Sequence, residues 1–363
     1  MEDDYEDDAP GHYDDGNRAF LQAFMARGTL TFAQAQPILA AIFTALERAE
    51  RRNNEDQNPN EAEPQPVRPA DVTREDFDSY VSAASAAISP LDMEIRSATH
   101  QVTKERIWAL VNTTSDPTTQ LATLHSAEEI AFVRRVIDAM FDKYNTPRLE
   151  MLCVDGMQAN KLRAAPRNAD ENGDGNASGS REAEDGDTKE GDSATPQTQT
   201  QTVGGLKGLK SSEVEQVMRN MVDEGWFERS REGFYSLSPR ALMELRAWLV
   251  DAYNDPDAEP NEWQRVKFCE ACREIVTVGQ RCAERDCVTR LHDACLEAFW
   301  KTRKDRKCPR CSTEWSGKHF VGERAVTETE AYQRGRRRSG RGGRSSLVER
   351  LVDDGDEDDG VVD

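Results

Sequence analysis

CEACREIVTVGQRCAERDCVTRLHDACLEAFWKTRKDRKCPRC, from Cys269 to Cys311, decides the fold, because seven of the chain's eight cysteines fall in it around one histidine. The order is Cys269-x2-Cys272-x9-Cys282-x4-Cys287-x4-His292-x2-Cys295-x12-Cys308-x2-Cys311. Eight soft or borderline ligands in four close pairs meet the requirement of two tetrahedral zinc sites. A cross-brace would put Cys269, Cys272, His292 and Cys295 on one ion and Cys282, Cys287, Cys308 and Cys311 on the other. Pairing of sequential neighbours is the alternative. A disulfide framework would need an oxidising compartment, and the opening MEDDYEDD is no signal peptide. A catalytic site keeps a position open and usually takes two or three histidines, whereas this cluster has one. The expected Zn2+ ions, two of them, are therefore structural, and they act as folding elements for a stretch with little core of its own. Cys153 stands apart and reads as a buried or idle thiol.

A length of 363 residues suggests two or three domains. No apolar run approaches the roughly eighteen residues of a membrane span. Cysteine use fits a reducing compartment, cytosol or nucleus. The net charge of −21 is unevenly placed. Residues 2–15 hold eight acids and no Lys or Arg, 170–192 hold nine acids against Arg181 and Lys189, and 353–363 hold seven acids and no base. The remainder is close to neutral. The acidity thus sits in tails and a linker expected to be disordered, and it does not exclude a nucleic-acid partner for the folded parts.

Residues 17–52 begin with a helical pattern on Phe20, Leu21 and Phe24 that ends at Gly28, followed by a second on Phe32, Ile38, Ile42, Phe43 and Leu46. The proline-bearing stretch 53–70 reads as an inserted polar loop. Phe77, Tyr80, Val81, Ala84 and Ile88 mark a third helix. Met93 and Ile95, then Ile107, Trp108, Leu110 and Val111, mark a wing-like hairpin. Ser126 with Glu129 is a capping box that opens a helix through Phe141. Residues 159–205 are low-complexity. After them, Ser212 and Glu215 form a second expected capping box, Val214, Val217, Met218 and Met221 line one helix face, and Gly225 ends it. A hairpin around Arg231-Glu232-Gly233 and a helix opened by Pro239 follow. Helix, helix and two-stranded wing is the winged-helix plan, clear over 206–252 and more decorated in the first copy. A fragment 206–252 is expected to fold without zinc, on its own or with its partner. Its candidate recognition helix carries Glu213, Glu215, Asp223 and Glu224 against Arg219 alone, which favours protein docking over phosphate contact.

Two families share the seven-cysteine, one-histidine order. A PHD finger, which reads histone tails, usually has an aromatic residue two positions before the seventh ligand, and here that residue is Arg306. A RING favours Pro directly after the seventh ligand, as in Cys308-Pro309. RING identity implies a shallow groove for a ubiquitin-conjugating enzyme, here from Ala271, Ile275, Trp300 and Pro309, with Val276, Leu296 and Phe299 nearby.

The cysteine-rich stretch, the segment RNMVDEGWFERSREGFYSLSPRALMELRAWL, and the segments FLQAFMARGTLTFAQAQ and PLDMEIRSATHQVTKERIWALVN together resemble the RING-variant subunit, non-SMC element one, of the DNA-repair SMC complex. The resemblance covers about 17–157 and 203–321. It implies a nuclear, chromatin-associated subunit that pairs with a MAGE-like winged-helix partner and a kleisin, and indirectly with the SMC heterodimer. It also implies RING-type ubiquitin-ligase activity promoted by the MAGE partner. Such a ligase has no nucleophile of its own and works by positioning a charged conjugating enzyme. Two departures lower the expected activity. Ala271 stands where active RINGs often have Ile or Leu, and Ser312 stands where many have Arg or Lys. Weak, partner-dependent ligation is expected, with a purely architectural subunit or a PHD-type reader as alternatives. RGRRRSGRGGR, residues 334–344, offers six arginines for DNA contact or nuclear import.

The sequence thus predicts an α+β protein of tandem winged-helix domains followed by a cross-braced RING-variant module. The expected boundaries are an acidic tail 1–16, first winged helix 17–157, disordered linker 158–205, second winged helix 206–254, zinc module 265–320 and disordered tail 321–363.

Overall fold

The computed structural model describes residues 13–54, 65–114, 124–164, 208–259 and 262–338. Within them one order of elements occurs twice. The first unit runs helix α1 (Asp15–Met25), strand β1 (Thr29–Thr31), helices α2 (Phe32–Asn54) and α3 (Arg74–Ile88), then strands β2 (Met93–Thr99) and β3 (Arg106–Asn112). The second runs α4 (Ala127–Asp138), β4 (Val154–Asp155), α5 (Gly156–Lys161), α6 (Ser211–Asp223), β5 (Phe227–Arg229) and β6 (Phe234–Leu237). In each the last strand is central to a three-stranded antiparallel sheet, in the orders β1-β3-β2 and β4-β6-β5. Helices α7 (Pro239–Glu244) and α8 (Arg246–Tyr253) lead into the cysteine-rich module. There β7 (Gly279–Arg281) is flanked by β8 (Arg290–Leu291) and β9 (Phe320–Val321), with α9 (Asp293–Lys301) between β8 and β9.

Local chemistry sets the element ends. Asp14 caps α1 by accepting from the Asn17 amide, and Gly28, at φ +70°, turns the chain into β1. Ser126 and Glu129 close a reciprocal capping box on α4. Ser238 caps α7, whose first residue is Pro239. The box expected at Ser212 and Glu215 falls earlier. Leu209 donates its amide to the Arg163 carbonyl, so the helix begins at Ser211 and the Glu213 carboxylate accepts from the Lys210 amide.

The first unit has its own aromatic core. Phe20 meets Phe24, Phe77 and Tyr80 edge-on, and Phe77 meets Trp108 with ring centroids 4.9 Å apart. A second continuous core runs from Phe132 through Val217, Met221, Phe234 and Leu249 to Ile275, Trp315 and Tyr332. The second unit and the cysteine-rich module therefore share one apolar interior. Cys153 lies in it at 2% exposure, where burial pushes its thiol well above the usual range.

Three expected boundaries differ from the structure. Residues 124–157, assigned by sequence to the first domain, pack with the second: α4 contributes Phe132, Val136 and Ile137 to the second core, and Val154 pairs with Tyr235. The low-complexity insert thus interrupts a domain between α5 and α6 instead of separating two. The linker expected from 158 is still helical to Lys161, because Asp155 and Gln158 form a capping box and Gln158 is fully buried. The tail expected from 321 continues as β9, α10 (Arg324–Thr327) and α11 (Glu330–Arg338), anchored by buried Val321, Val326 and Tyr332. The expectations for residues 1–12, 55–64, 165–205 and 339–363 lie outside the described residues. No helix among the described residues is long and apolar enough to cross a membrane.

The shared core carries a consequence for truncation. A fragment 206–254 lacks α4, β4 and α5, so Val217, Met218 and Met221 lose the part of their core that those elements supply. It should remain largely unfolded by far-UV circular dichroism and gain helicity when 124–164 is supplied; cooperative melting of the fragment alone would refute the boundary.

Candidate metal centre

Two hairpin-like turns present the paired cysteines. In the first, the Cys269 amide donates to the Glu274 carbonyl and the Arg273 amide to the Cys269 carbonyl, both at 2.9 Å. In the last, Cys308 donates to Thr313 at 2.8 Å and Ser312 to Cys308 at 3.0 Å. The residue after each pair, Arg273 at φ +64° and Ser312 at φ +62°, takes the left-handed conformation that closes the turn. The remaining candidate ligands come from the loop between β7 and β8, which holds Cys282 and Cys287, and from the start of α9, which His292 precedes as its cap residue.

These elements gather the eight residues into two groups, Cys269, Cys272, His292 and Cys295, and Cys282, Cys287, Cys308 and Cys311. Within each group the donor atoms lie within 4.8 Å of one another. This is the interleaved arrangement; sequential neighbours are not grouped. Sulfurs bound at about 2.3 Å to one tetrahedral ion would sit roughly 3.8 Å apart. Here Cys282 and Cys311 are 3.4 Å apart and Cys287 and Cys308 are 3.5 Å apart. His292 turns Nδ1 toward Cys272 Sγ at 3.3 Å and places Nε2 at 3.1 Å from the Ile275 carbonyl. A carbonyl only accepts, so Nε2 carries the proton and Nδ1 keeps its lone pair for a metal.

Electrostatics point the same way. A hydrogen bond from Cys272 pulls Cys269 down to about 3, while Cys272 itself is pushed up by Cys269 and by burial. Burial also pushes Cys282, Cys287 and Cys295 upward. Thiols packed this closely resist ionising together, and a divalent cation removes the conflict. Thr289, fully buried, sets its hydroxyl 3.4 Å from Cys287 Sγ and 3.3 Å from Cys308 Sγ, where it can donate to a thiolate.

A buried ion cluster fastens this module to the second unit. Glu150, on the segment between α4 and β4, is 2% exposed and faces three cations of the module. Arg290 grips it with two guanidinium nitrogens, Nε at 2.6 Å, while Lys267 Nζ lies at 3.3 Å and Arg281 at 3.4 Å. Burial alone would raise the Glu150 pKa; the Arg290 charge, with Lys267 and Arg281, outweighs it and holds the carboxyl at about 2. Arg290 also donates to the carbonyls of Cys287 and Thr289, at 2.6 and 2.7 Å, so the same side chain braces a metal loop. No sequence signal marked Glu150. It is one acid in TPRLEMLCV, and only the fold brings it to residues more than a hundred positions later.

The expected groove residues are dispersed. Ala271 and Pro309 are exposed, and Trp300 is half-buried against Phe299 and Trp315, with centroids at 5.0 and 5.6 Å. Ile275 is 3% exposed, beneath the β2–β3 hairpin, and lines a cavity of about 260 Å³ with Leu242, Met243 and Cys295. Trp300 borders a different groove, beside Leu296, Arg306 and Trp315. Ile275 is thus withdrawn from the face it was expected to share with Trp300, because the hairpin of the first unit occupies that position.

Two interleaved groups that could each hold a metal ion, set around one short helix, define a RING-like module, and the model for the RING-like domain matches residues 269–311. The family described as the Nse1 non-SMC component of the SMC5-6 complex matches residues 17–245, and the chain belongs to that family. The non-structural maintenance of chromosomes element 1 homolog of Homo sapiens is 30% identical over 112 residues, which is 30% of this chain and 38% of the relative. The match to the first curated relatives thus spans under two-fifths of their length. The Bos taurus homolog is 22% identical over 252 residues, 69% of this chain and 73% of the relative. The protein of the same name from Schizosaccharomyces pombe is 34% identical over 115 residues, covering 32% and 42%. A solved structure titled Nse1-Nse3-Nse4 complex has the same fold, with a TM-score of 0.54, 19% identity, and coverage of 84% of this chain and 98% of that one.

Two substitutions test the geometry. Cys308→Ala should leave a half-built tetrad and unfold the module; a 262–321 region that stays protease-resistant would contradict the ligand set. Glu150→Gln leaves Arg290, Arg281 and Lys267 buried without a counter-charge and should cost about 3–5 kcal/mol, read as a lowered unfolding midpoint in urea. The Glu150 contribution is complete above its ordinary value of 4.5 and is lost as pH falls toward about 2. Metal-ligand protonation overlaps that window, so the comparison belongs at neutral pH.

Proposed function

We propose that the protein binds two zinc ions and serves as a RING-type ubiquitin-ligase subunit of an SMC-type DNA-repair complex in the nucleus. The observation that carries this reading is the interleaved grouping of the eight cysteine and histidine side chains, within a chain of the family whose description names the SMC5-6 complex. All-thiolate or thiolate-imidazole tetrads with no open position suit structural zinc. Zinc supplies no chemical step; it fixes the two turns and α9 relative to one another. Ligation would then proceed by positioning: the module holds a thioester-charged conjugating enzyme so that a substrate lysine meets a restrained thioester.

The repeated helix–strand–helix–helix–strand–strand units support a tandem winged-helix reading, with α3 and α6 in the position of recognition helices. Acids on α6 favour a protein surface there. A MAGE-like winged-helix subunit and a kleisin are the proposed partners, since the matching solved structure is titled a complex of Nse1 with Nse3 and Nse4. Contact with the SMC heterodimer would be indirect, and DNA contact would come through the assembly or the arginine-rich segment.

A specific observation favours the second reading, an architectural subunit without ligase activity. Ile275 is buried beneath the hairpin, Ala271 offers little apolar surface, and Ser312 lacks the donors of arginine. Discharge of ubiquitin from charged conjugating enzymes onto free lysine separates the two. Weak discharge, raised several-fold by the MAGE-like partner and again by Ser312→Arg, is the expected outcome. No discharge with any conjugating enzyme, with or without the partner, favours the architectural subunit.

A further inference from the structure

The tip of the β2–β3 hairpin leaves the first unit and lands on the first metal loop. Its Gln101 side chain hydrogen-bonds there through both its nitrogen and its oxygen. Gln101 Nε2 donates to the Ile275 carbonyl at 2.9 Å. Gln101 Oε1 accepts from the amides of Thr277 at 3.0 Å and Val278 at 2.8 Å, and lies 3.3 Å from the Thr277 hydroxyl. The backbone polarity of these partners fixes the orientation of the side-chain amide. The Ile275 carbonyl has a second donor, His292 Nε2 at 3.1 Å. One carbonyl oxygen thus receives both the hairpin and the only imidazole among the grouped metal-binding residues.

The neighbouring residue holds the tip in place. His100 Nδ1 accepts from the amides of Val102 and Thr103 at 3.1 and 3.2 Å, which leaves Nε2–H to donate to Glu228 on β5 at 3.0 Å. Lys104, at φ +65°, completes the turn. The hairpin tip is therefore built against the second unit while its glutamine is spent on the metal module. An ordinary surface contact between domains would satisfy a glutamine with water or one partner; here both the amide nitrogen and the amide oxygen are directed at residues 275–278.

We propose that Gln101 is a positioning residue of the first metal site, supplied from the first unit, which orients His292 through the Ile275 carbonyl. The inference rests on the zinc reading above. A histidine that ligates through one nitrogen depends on an acceptor for the other, and that acceptor is held in place only as well as its own partners hold it. Gln101 fixes the acceptor. Metal binding and hairpin docking are then reciprocally linked: metal in the first site strengthens docking of the first unit, and a partner that lifts the hairpin weakens that site and uncovers Ile275 by the same free energy. The second tetrad is braced from the second unit instead, by Glu150 through Arg290 and the Cys287 carbonyl, so the linkage to the hairpin is specific to one ion.

Cobalt-loaded full-length chain provides the test. A site of three thiolates and one imidazole and a site of four thiolates give distinct absorption bands, so the two can be followed separately during titration with EDTA. The wild type should hold two ions. In Gln101→Ala the first site should weaken by about 10–100-fold while the second keeps its affinity. Amide exchange at Thr277 and Val278 should accelerate in parallel. Gln101→Glu keeps the acceptor for those two amides but loses the donor to Ile275, so their exchange should stay slow while the first site remains weakened. First-site affinity within about two-fold of wild type in Gln101→Ala, equal weakening of both sites, or full recovery in Gln101→Glu would each overturn the inference. Fewer than two ions in the wild type would instead refute the zinc reading on which it stands.

Discussion

Packing four thiol or imidazole donors inside a few ångströms is unfavourable unless a cation sits among them, and this chain does so twice. Several features around the two clusters hold donors in place and are not explained by the apolar interior that the module shares with the second unit. The turns at Arg273 and Ser312 accept left-handed backbone at non-glycine residues. Thr289 spends a buried hydroxyl on two sulfurs, and Arg290 braces the backbone of Cys287. None of these features makes sense as core packing. They follow if the metal is the nucleus of the module and the short strands and single helix are its consequence.

The module is not a separate bead on the chain. It shares an apolar interior with the second unit and is locked to it by Glu150, the single carboxylate facing Lys267, Arg281 and Arg290. Such a cluster adds little net stability compared with an apolar replacement, but it allows one relative placement, since any other leaves buried charge unpaired. The first unit has an independent aromatic core and meets the rest through a small buried apolar patch, Ala109 and Val111 against Met243, and through polar contacts: Arg96 to the Met243 carbonyl at 3.0 Å, His100 to Glu228, and Gln101 to the first metal loop.

Much of this was legible in the residues, for identifiable reasons. Ligand spacing is a local property, so the eight candidate ligands could be counted from the gaps, while interleaving was the expected one of two pairings that the sequence left open. Helices with strong periodicity and explicit caps, such as α4 with Ser126 and Glu129, were equally readable. Long-range pairing was not. Val154 and Asp155 make a two-residue strand with no periodicity of its own, and only its partner Tyr235, across the low-complexity insert, gives it a role. The insert's composition suggested a boundary, and the boundary assignment followed it to the wrong place. Helices α10 and α11 were missed because a few buried residues, Val326 and Tyr332 among them, sit in a polar, arginine-rich sequence. Glu150 and Gln101 carried no local signal at all, since their importance arises from cations and amides far along the chain. Ile275 was expected in an exposed groove because spacing within the module predicts its face but not what another unit lays over it.

The central claim is that two metal ions, not one and not a disulfide, organise the carboxyl-terminal third of the chain. Native mass spectrometry of the purified full-length protein, with elemental analysis of the same sample, tests this most directly. Two zinc ions per chain with all eight cysteines reduced is the expected mass. A single ion, a metal-free folded species, or a mass lower by paired hydrogens from disulfide formation would contradict it.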